Sequence, residues 1–343
     1  MSPSEFSEFK KLATRLAWFA SPLLFLCVTY VMLDPFQVLY PRDYFYKHCH
    51  VEPDRDYVTT EVFLKNSRTI PYDSFIFGNS RSLAFRASEW IKHIDARASY
   101  HYDASDESLY GVWAKFKFLD SREQTMRNVL WIVDAELLEQ IGETPKEKSH
   151  LSLKHPALTG MSWSQFHTIE FGAYFQRLFF LKYLDYRLFG EYRRYMGDVI
   201  SEDVIKFDHV HNDQVRNPRG ESEVNPEKYY GEKMKDVFYE REEGMEPVEA
   251  VVGEKQRNFL KQIRDVLGKR QSRYKIVISP LYHQRAFNPK DLTIFQEIFG
   301  ADNVYDFSGV NEFTSDVRNY FETSHYKPRV ADEIMRRIYA DPG

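Results

Sequence analysis

The longest uninterrupted apolar run lies near the start of the chain. From Leu16 to Leu33 (LAWFASPLLFLCVTYVML) no side chain is charged. Wound as a helix it would reach roughly 27 Å, close to the hydrocarbon thickness of a bilayer, so it predicts a membrane span over 16–33. Lys10, Lys11 and Arg15 precede it. By the positive-inside tendency they keep a short tail (1–15) cytoplasmic and send the rest of the chain across. The run continues into Asp34, Pro35 and Phe36 without a small-residue cleavage pattern, so it reads as a retained anchor. A buried core helix is the alternative for the same pattern.

After a linker (34–70), apolar runs of strand length alternate with helical spacing. Ser74–Phe77, Ser99–Tyr102, Asn128–Val133, Tyr274–Ile278 and Asn303–Asp306 predict buried strands. Ser82–Ile94, Leu109–Leu119, Glu254–Leu267, Leu292–Phe299 and Pro328–Tyr339 carry helical periodicity. Such alternation predicts an α/β domain with right-handed crossovers, a parallel sheet covered on both faces, and a site at the carboxyl ends of the strands. Its two parts are 71–139 and 254–343. The interval between them, 140–253, far exceeds the usual connection of roughly 2–6 residues and must be an insertion. Its aromatic half, Phe166 to Tyr195, interleaves Arg and Lys; it suits a helix on a membrane surface, over the site, against a partner, or packed on the sheet. Its second half, Asp203 to Gly253, is polar and punctuated by Gly and Pro, which predicts surface loop or lid.

Composition narrows the partners. Of 343 residues, 43% are hydrophobic and 28% charged, which excludes a disordered or multi-span chain. Lys and Arg number 46 against 51 Asp and Glu, a formal charge of -5, so there is no basic field for nucleic acid. The 2 cysteines provide neither a disulfide framework nor a Cys-rich zinc site, and Cys27 inside the span is not paired with Cys49 outside it. His209 and His211, flanked by Asp208 and Asp213, lack a third regularly placed ligand, and no metal site is expected.

Candidate chemistry sits at two distant places. FGNSRS (Phe77–Ser82) puts Ser80 directly after the first strand and at the start of a helix, where free N–H groups can hold a developing oxyanion. Capping by Asn79 and Ser80 is the plainer reading of that motif. YFETSHYKP (Tyr320–Pro328) places Glu322 and His325 three apart in a predicted loop just before the last helix, at the same sheet edge. A serine needs a base to become a nucleophile, and an imidazole held by a carboxylate supplies one. Arg81 suits a carboxylate or phosphate on an acceptor. His283, in SPLYHQ after the fourth strand, is a candidate substrate contact or a loop-bonding residue.

These blocks resemble the SGNH (GDSL-like) hydrolase superfamily. The resemblance covers roughly Asp73–Asp134 and Tyr274–Tyr339 and implies a flavodoxin-like three-layer α/β/α sandwich. It also implies Ser80 as nucleophile, His325 as general base and Glu322 as the acid. The blocks depart from the superfamily's pattern: Asn79 replaces the usual Asp, Glu322 replaces Asp, and the second block, DASDES (Asp103–Ser108), has no glycine. An oxyanion donor would there be the backbone of Ser105 or Asp106. In the third block Asp134 stands where the superfamily has Asn, and a carboxylate cannot donate to an oxyanion. More narrowly, the span, the aromatic insertion and the tail (YDFSGVNEFT, then YFETSHYKP) are similar to membrane-anchored SGNH-type proteins that accompany membrane-bound O-acyltransferases. Those proteins act in cell-surface polymer modification such as teichoic acid D-alanylation and alginate O-acetylation. The implied function is an extracytoplasmic esterase or O-acyltransferase acting on a cell-surface glycan or lipid-linked polymer, without cofactor. A non-catalytic glycan-binding or scaffolding subunit of a membrane acyltransferase system is the alternative.

Overall fold

The computed structural model describes residues 3–40, 49–51, 53–142, 153–197, 199–216, 222, 225–242 and 244–340. Parts of the predicted linker (41–48 and 52) and of the insertion (143–152, 198, 217–221, 223–224 and 243) lie outside the described residues.

Strands β1 (Ser74–Phe77), β2 (Ser99–His101), β3 (Asn128–Val133), β4 (Arg273–Ile278) and β5 (Val304–Asp306) make the central sheet. They lie in the order β2-β1-β3-β4-β5, with every neighbouring pair parallel. That order places the switch point of the doubly wound sheet between β1 and β3. Register sets Phe77 beside Trp131 and Val133 beside Ile278.

The main helices are α1 (Pro3–Leu33), α2 (Arg55–Asn66), α3 (Leu109–Ser121), α4 (Trp163–Ala173), α5 (Phe179–Phe189), α6 (Glu254–Lys269), α7 (Pro289–Phe299) and α8 (Pro328–Ile338). The two-residue period of the strands divides their side chains between two cores. Phe75, Phe77, Trp131, Val133, Ile276 and Ile278 meet α2, α3, α6 and α7 through Phe63, Phe116, Ile263 and Phe295. Ile76, Leu130, Ile132 and Val277 meet α8 through Val330, Ile334 and Met335. Each such side chain fully withdrawn from water contributes about 1.5–3 kcal/mol.

Helix ends follow local chemistry. The Ser108 hydroxyl accepts from Gly111 N at 3.0 Å and starts α3. Pro289 and Pro328 open α7 and α8.

Two expectations need correction. Ser82–Ile94 is not one helix: a 3₁₀ turn (Ser80–Ala84), a short helix (Ala87–Trp90) and a second 3₁₀ turn (Ile91–His93) replace it. The break comes at Phe85 and Arg86, because the buried carboxylate of Asp213 accepts from Ala87 N (2.7 Å) and Ser88 N (2.9 Å) and caps a fresh turn. Asp203–Gly253 is also not all loop. Ile200–Phe207 is a strand between Cys49–Val51 and Gln214–Arg216 in a three-stranded antiparallel sheet.

Helix α1 is long and apolar enough to cross a membrane: Glu5–Leu33 has a mean hydropathy of 2.0 in its most apolar window, of which 6% is buried. At its end, the Tyr30 ring lies 5.1 Å from Phe171 and 5.3 Å from Tyr174, and the Thr29 hydroxyl is 3.2 Å from the Tyr174 hydroxyl. Phe36 packs on Phe179 at 4.8 Å, and Phe166 stacks on Tyr57 of α2 at 5.0 Å. The aromatic half of the insertion thus joins α1 to the body.

Candidate active site

The chain leaves β1 through Gly78, whose φ of 154° suits glycine alone. A Cβ there would lie 2.7 Å from Ser82 Cβ and 3.0 Å from the Ile132 carbonyl. This close passage beside β3 turns Ser80 out at the strand end. Asn79 fixes the turn by accepting from Arg81 N at 3.0 Å. Ser82 locks it from below, donating to the Asn79 carbonyl at 2.7 Å and contacting His101 Nε2 at 3.0 Å.

Glu322 and His325 lie not in a loop, as the sequence predicts, but in a hairpin, Tyr320–Glu322 against His325–Tyr326, in which backbone pairing sets His325 opposite Glu322. His325 Nδ1 is hydrogen-bonded to Glu322 Oε1, and Nε2 lies 2.7 Å from Ser80 Oγ. With Nδ1 donating to the carboxylate, Nε2 carries the lone pair and can accept a hydrogen bond from the serine hydroxyl. Glu322 Oε2 accepts from Ser324 N at 2.7 Å, so both carboxylate oxygens are held. The insertion braces this hairpin: the Tyr229 hydroxyl donates to the Phe321 carbonyl (2.9 Å) and the Tyr230 hydroxyl to the Tyr320 carbonyl (2.7 Å).

Ser80 and His325 open on a cleft of about 60 Å³ lined also by Leu83, Gln214, Phe321 and Tyr326. A larger cleft of about 390 Å³ lies beside it, lined by Asp134, Glu136, Glu139, Glu249, Ser279 and His283. Contacting side chains divide the two: Arg81, lining the first, lies 2.9 Å from Asp134 and 2.7 Å from Glu136 of the second, and the Tyr326 hydroxyl meets Ser279 Oγ at 3.3 Å. Burial opposes the charge on Arg81, but Asp134 and Glu136 outweigh it and raise its pKa, so the guanidinium stays charged.

Sequence candidates therefore fall into three groups. Ser80, His325 and Glu322 form one hydrogen-bonded relay. Asn79, Arg81 and Asp134 surround it: Asn79 Nδ2 donates to Asp134 Oδ2 at 2.7 Å, and Asp134 Oδ1 caps the following helix through Leu137 N at 2.9 Å. Two of the departures from the SGNH pattern, Asn79 and Asp134, thus meet as one amide–carboxylate pair. Ser105 and Asp106 do not line the serine cleft, and Asp106 accepts from Gln140 Nε2 at 3.2 Å. His283 lines the larger cleft and accepts from Arg285 N at 2.9 Å. Burial, then the nearby Arg285 and Arg81 charges, hold its imidazole below the usual pKa and therefore neutral. Among the described residues no hydrogen bond engages the Ser80 N–H, which leaves it available to an oxyanion.

The HVH loop is a structural tie. His211 Nδ1 lies 3.0 Å from Ser99 Oγ, and buried Asp213 is 3.3 Å from His101 Nδ1. Two residue types went unread in the sequence: Gln214, delivered to the cleft by the insertion, and Tyr229 and Tyr230, which hold the hairpin. No local signal marks them. In comparisons with known proteins the chain matches no family model and no curated protein.

Proposed function

We propose that the chain is a serine hydrolase of the SGNH type, working by acyl transfer through Ser80. Within that class we propose a membrane-tethered esterase or O-acyltransferase acting on a cell-surface glycan or lipid-linked polymer, its body extracytoplasmic and α1 crossing the bilayer. The carrying observation is the Glu322–His325–Ser80 relay at the carboxyl edge of a parallel sheet. Ser80 Oγ attacks the acyl carbonyl while His325 Nε2 takes its proton. Glu322 orients the ring and stabilises the imidazolium, and the proton then passes to the departing alcohol oxygen. In the second half a glycan hydroxyl, deprotonated by His325, attacks the acyl carbonyl, the bond to Ser80 Oγ breaks, and the imidazolium returns the proton to Oγ; water in the hydroxyl's place gives hydrolysis. The Ser80 N–H is a donor for the oxyanion.

The narrow cleft supports a short acyl group, and the larger one beside it supports a bulkier acceptor. A membrane-bound O-acyltransferase is the partner that would deliver such a group across the bilayer. One observation favours the second reading, a glycan-binding or scaffolding subunit: Asp134, at a position where a donor is expected, is an acceptor engaged by Asn79 and Arg81.

Labelling by a serine-reactive phosphonate and turnover of a short-chain acyl ester test the choice. The wild type is expected to label and turn over, and Ser80→Ala to do neither. Equal labelling of the two removes the nucleophile, and no labelling of a folded wild type favours the scaffolding role.

A further inference from the structure

The insertion presents more apolar surface than its own packing uses. In α5, Phe179 and Tyr183 are buried, whereas Leu181, Leu188 and Phe189 are 52%, 76% and 64% exposed, and Leu178 just before the helix is 58% exposed. A helix apolar on two sides has one side for its core and one for another environment. The backbone at its start is strained: Arg177 (φ 49°) and Leu178 (φ 56°) are consecutive non-glycine residues in the left-handed region. Arg177, Arg187 and Arg194 stand exposed in this segment. Arg193 pairs with Asp185 at 3.0 Å and lies 5.0 Å over the Phe189 ring.

Where this face is anchored decides what covers it. The stretch from α4 to α5 holds the end of α1 and the residues just beyond it through Tyr30–Phe171, Thr29–Tyr174 and Phe36–Phe179. The exposed leucines therefore belong to the element on which the spanning helix ends. We infer that Leu178, Leu181, Leu188 and Phe189 insert into the interfacial layer of the bilayer that α1 crosses, with Arg177, Arg187 and Arg194 on anionic phospholipid headgroups. Leucine and phenylalanine reaching below the headgroups with arginine at their level is the composition of an interfacial helix. This second attachment orients the body, and with it the Ser80 cleft, relative to the membrane plane. The inference rests on α1 spanning a bilayer, and is independent of the chemistry at Ser80.

The full chain, with Cys27→Ser and Cys49→Ser, carries an environment-sensitive fluorophore at Leu188→Cys, at Phe19→Cys within α1, or at Glu297→Cys on the distant α7. Each variant is reconstituted in vesicles of phosphatidylcholine and phosphatidylglycerol containing nitroxide lipids. Nitroxides near the headgroup are expected to quench the Leu188 label roughly threefold more than the Glu297 label, and acyl-chain nitroxides to quench the Phe19 label. A quenched Phe19 label beside a Leu188 label that responds only to aqueous iodide overturns the inference. An unquenched Phe19 label overturns the span on which it rests. Protection of Leu188 only after co-reconstitution with a membrane acyltransferase makes the face a protein-docking surface and also overturns it. Should the labelled variants misfold, hydrogen exchange on the unaltered chain decides. Amides 181–189 are expected to exchange more slowly in the vesicles than in amphipol, and equal rates refute the inference.

Discussion

Replacing Glu170 by Gln is expected to stabilise the protein, increasingly so as the pH rises. Glu170 sits in α4, is 0% exposed, and among the described residues neither carboxylate oxygen has a hydrogen-bond partner. Burial first, and the nearby Asp34 carboxylate second, push its pKa from 4.5 up to about 8. The folded protein therefore holds Glu170 protonated at neutral pH, while the unfolded chain leaves it ionised. A raised folded-state pKa contributes stability that is fully present below about pH 4.5 and is lost as the pH climbs through about 8. At 1.36 kcal/mol per unit, taking up that proton at pH 7 costs about 3 kcal/mol, and near pH 5 under about 1 kcal/mol. Gln keeps the shape and removes the titration. Thermal unfolding of the solubilised full chain near pH 5 and pH 8 should show the variant gaining at the higher pH only, by roughly 5 °C. A pH-independent difference, or a variant less stable at pH 8, would mean that Glu170 is ionised and paired, and the reasoning fails.

Glu322→Gln should leave Ser80 in place but lose control of the His325 tautomer, lowering kcat on an acyl ester by roughly 10²–10⁴-fold with little change in melting temperature. Gly78→Ala forces a side chain against Ser82 and Ile132 at a left-handed backbone position, so unfolding titrations should report a loss of about 2–4 kcal/mol. Arg81→Met strips the cation from buried Asp134, and the same titrations should show about 3–5 kcal/mol lost, nearly all from Asp134 because Glu136 is 68% exposed.

Much of the sheet was legible because its signals are local. Asn128–Val133 is six consecutive apolar-rich residues closed by Asp134, and the strand begins and ends there. Ser80 was legible at the end of a strand and His325 as a residue before the last helix, although their 2.7 Å contact bridges 245 positions of sequence. What the sequence hid comes from distant groups overriding local preference. Ser82–Ile94 has helical spacing, yet Asp213 from the insertion caps a new turn at Ala87 and breaks it. Asn79 and Asp134 looked like two separate defects until 55 positions of chain brought amide and carboxylate together. Gln214 lies in a stretch whose polarity reads as loop, and only pairing with Ile200–Phe207 makes it a strand at the cleft.

The separation of serine and imidazole has a temporal side. While the polypeptide is being made, Ser80 emerges long before the hairpin that carries His325, and it can be no more than an ordinary alcohol throughout that interval. In the folded protein the hairpin rests on the sheet and on α8, with Tyr320 and Tyr326 in one buried cluster with Val277 and Ile334. On the proposed reading, reactivity would be switched on only by completion of the tertiary structure that brings Ser80 and His325 together.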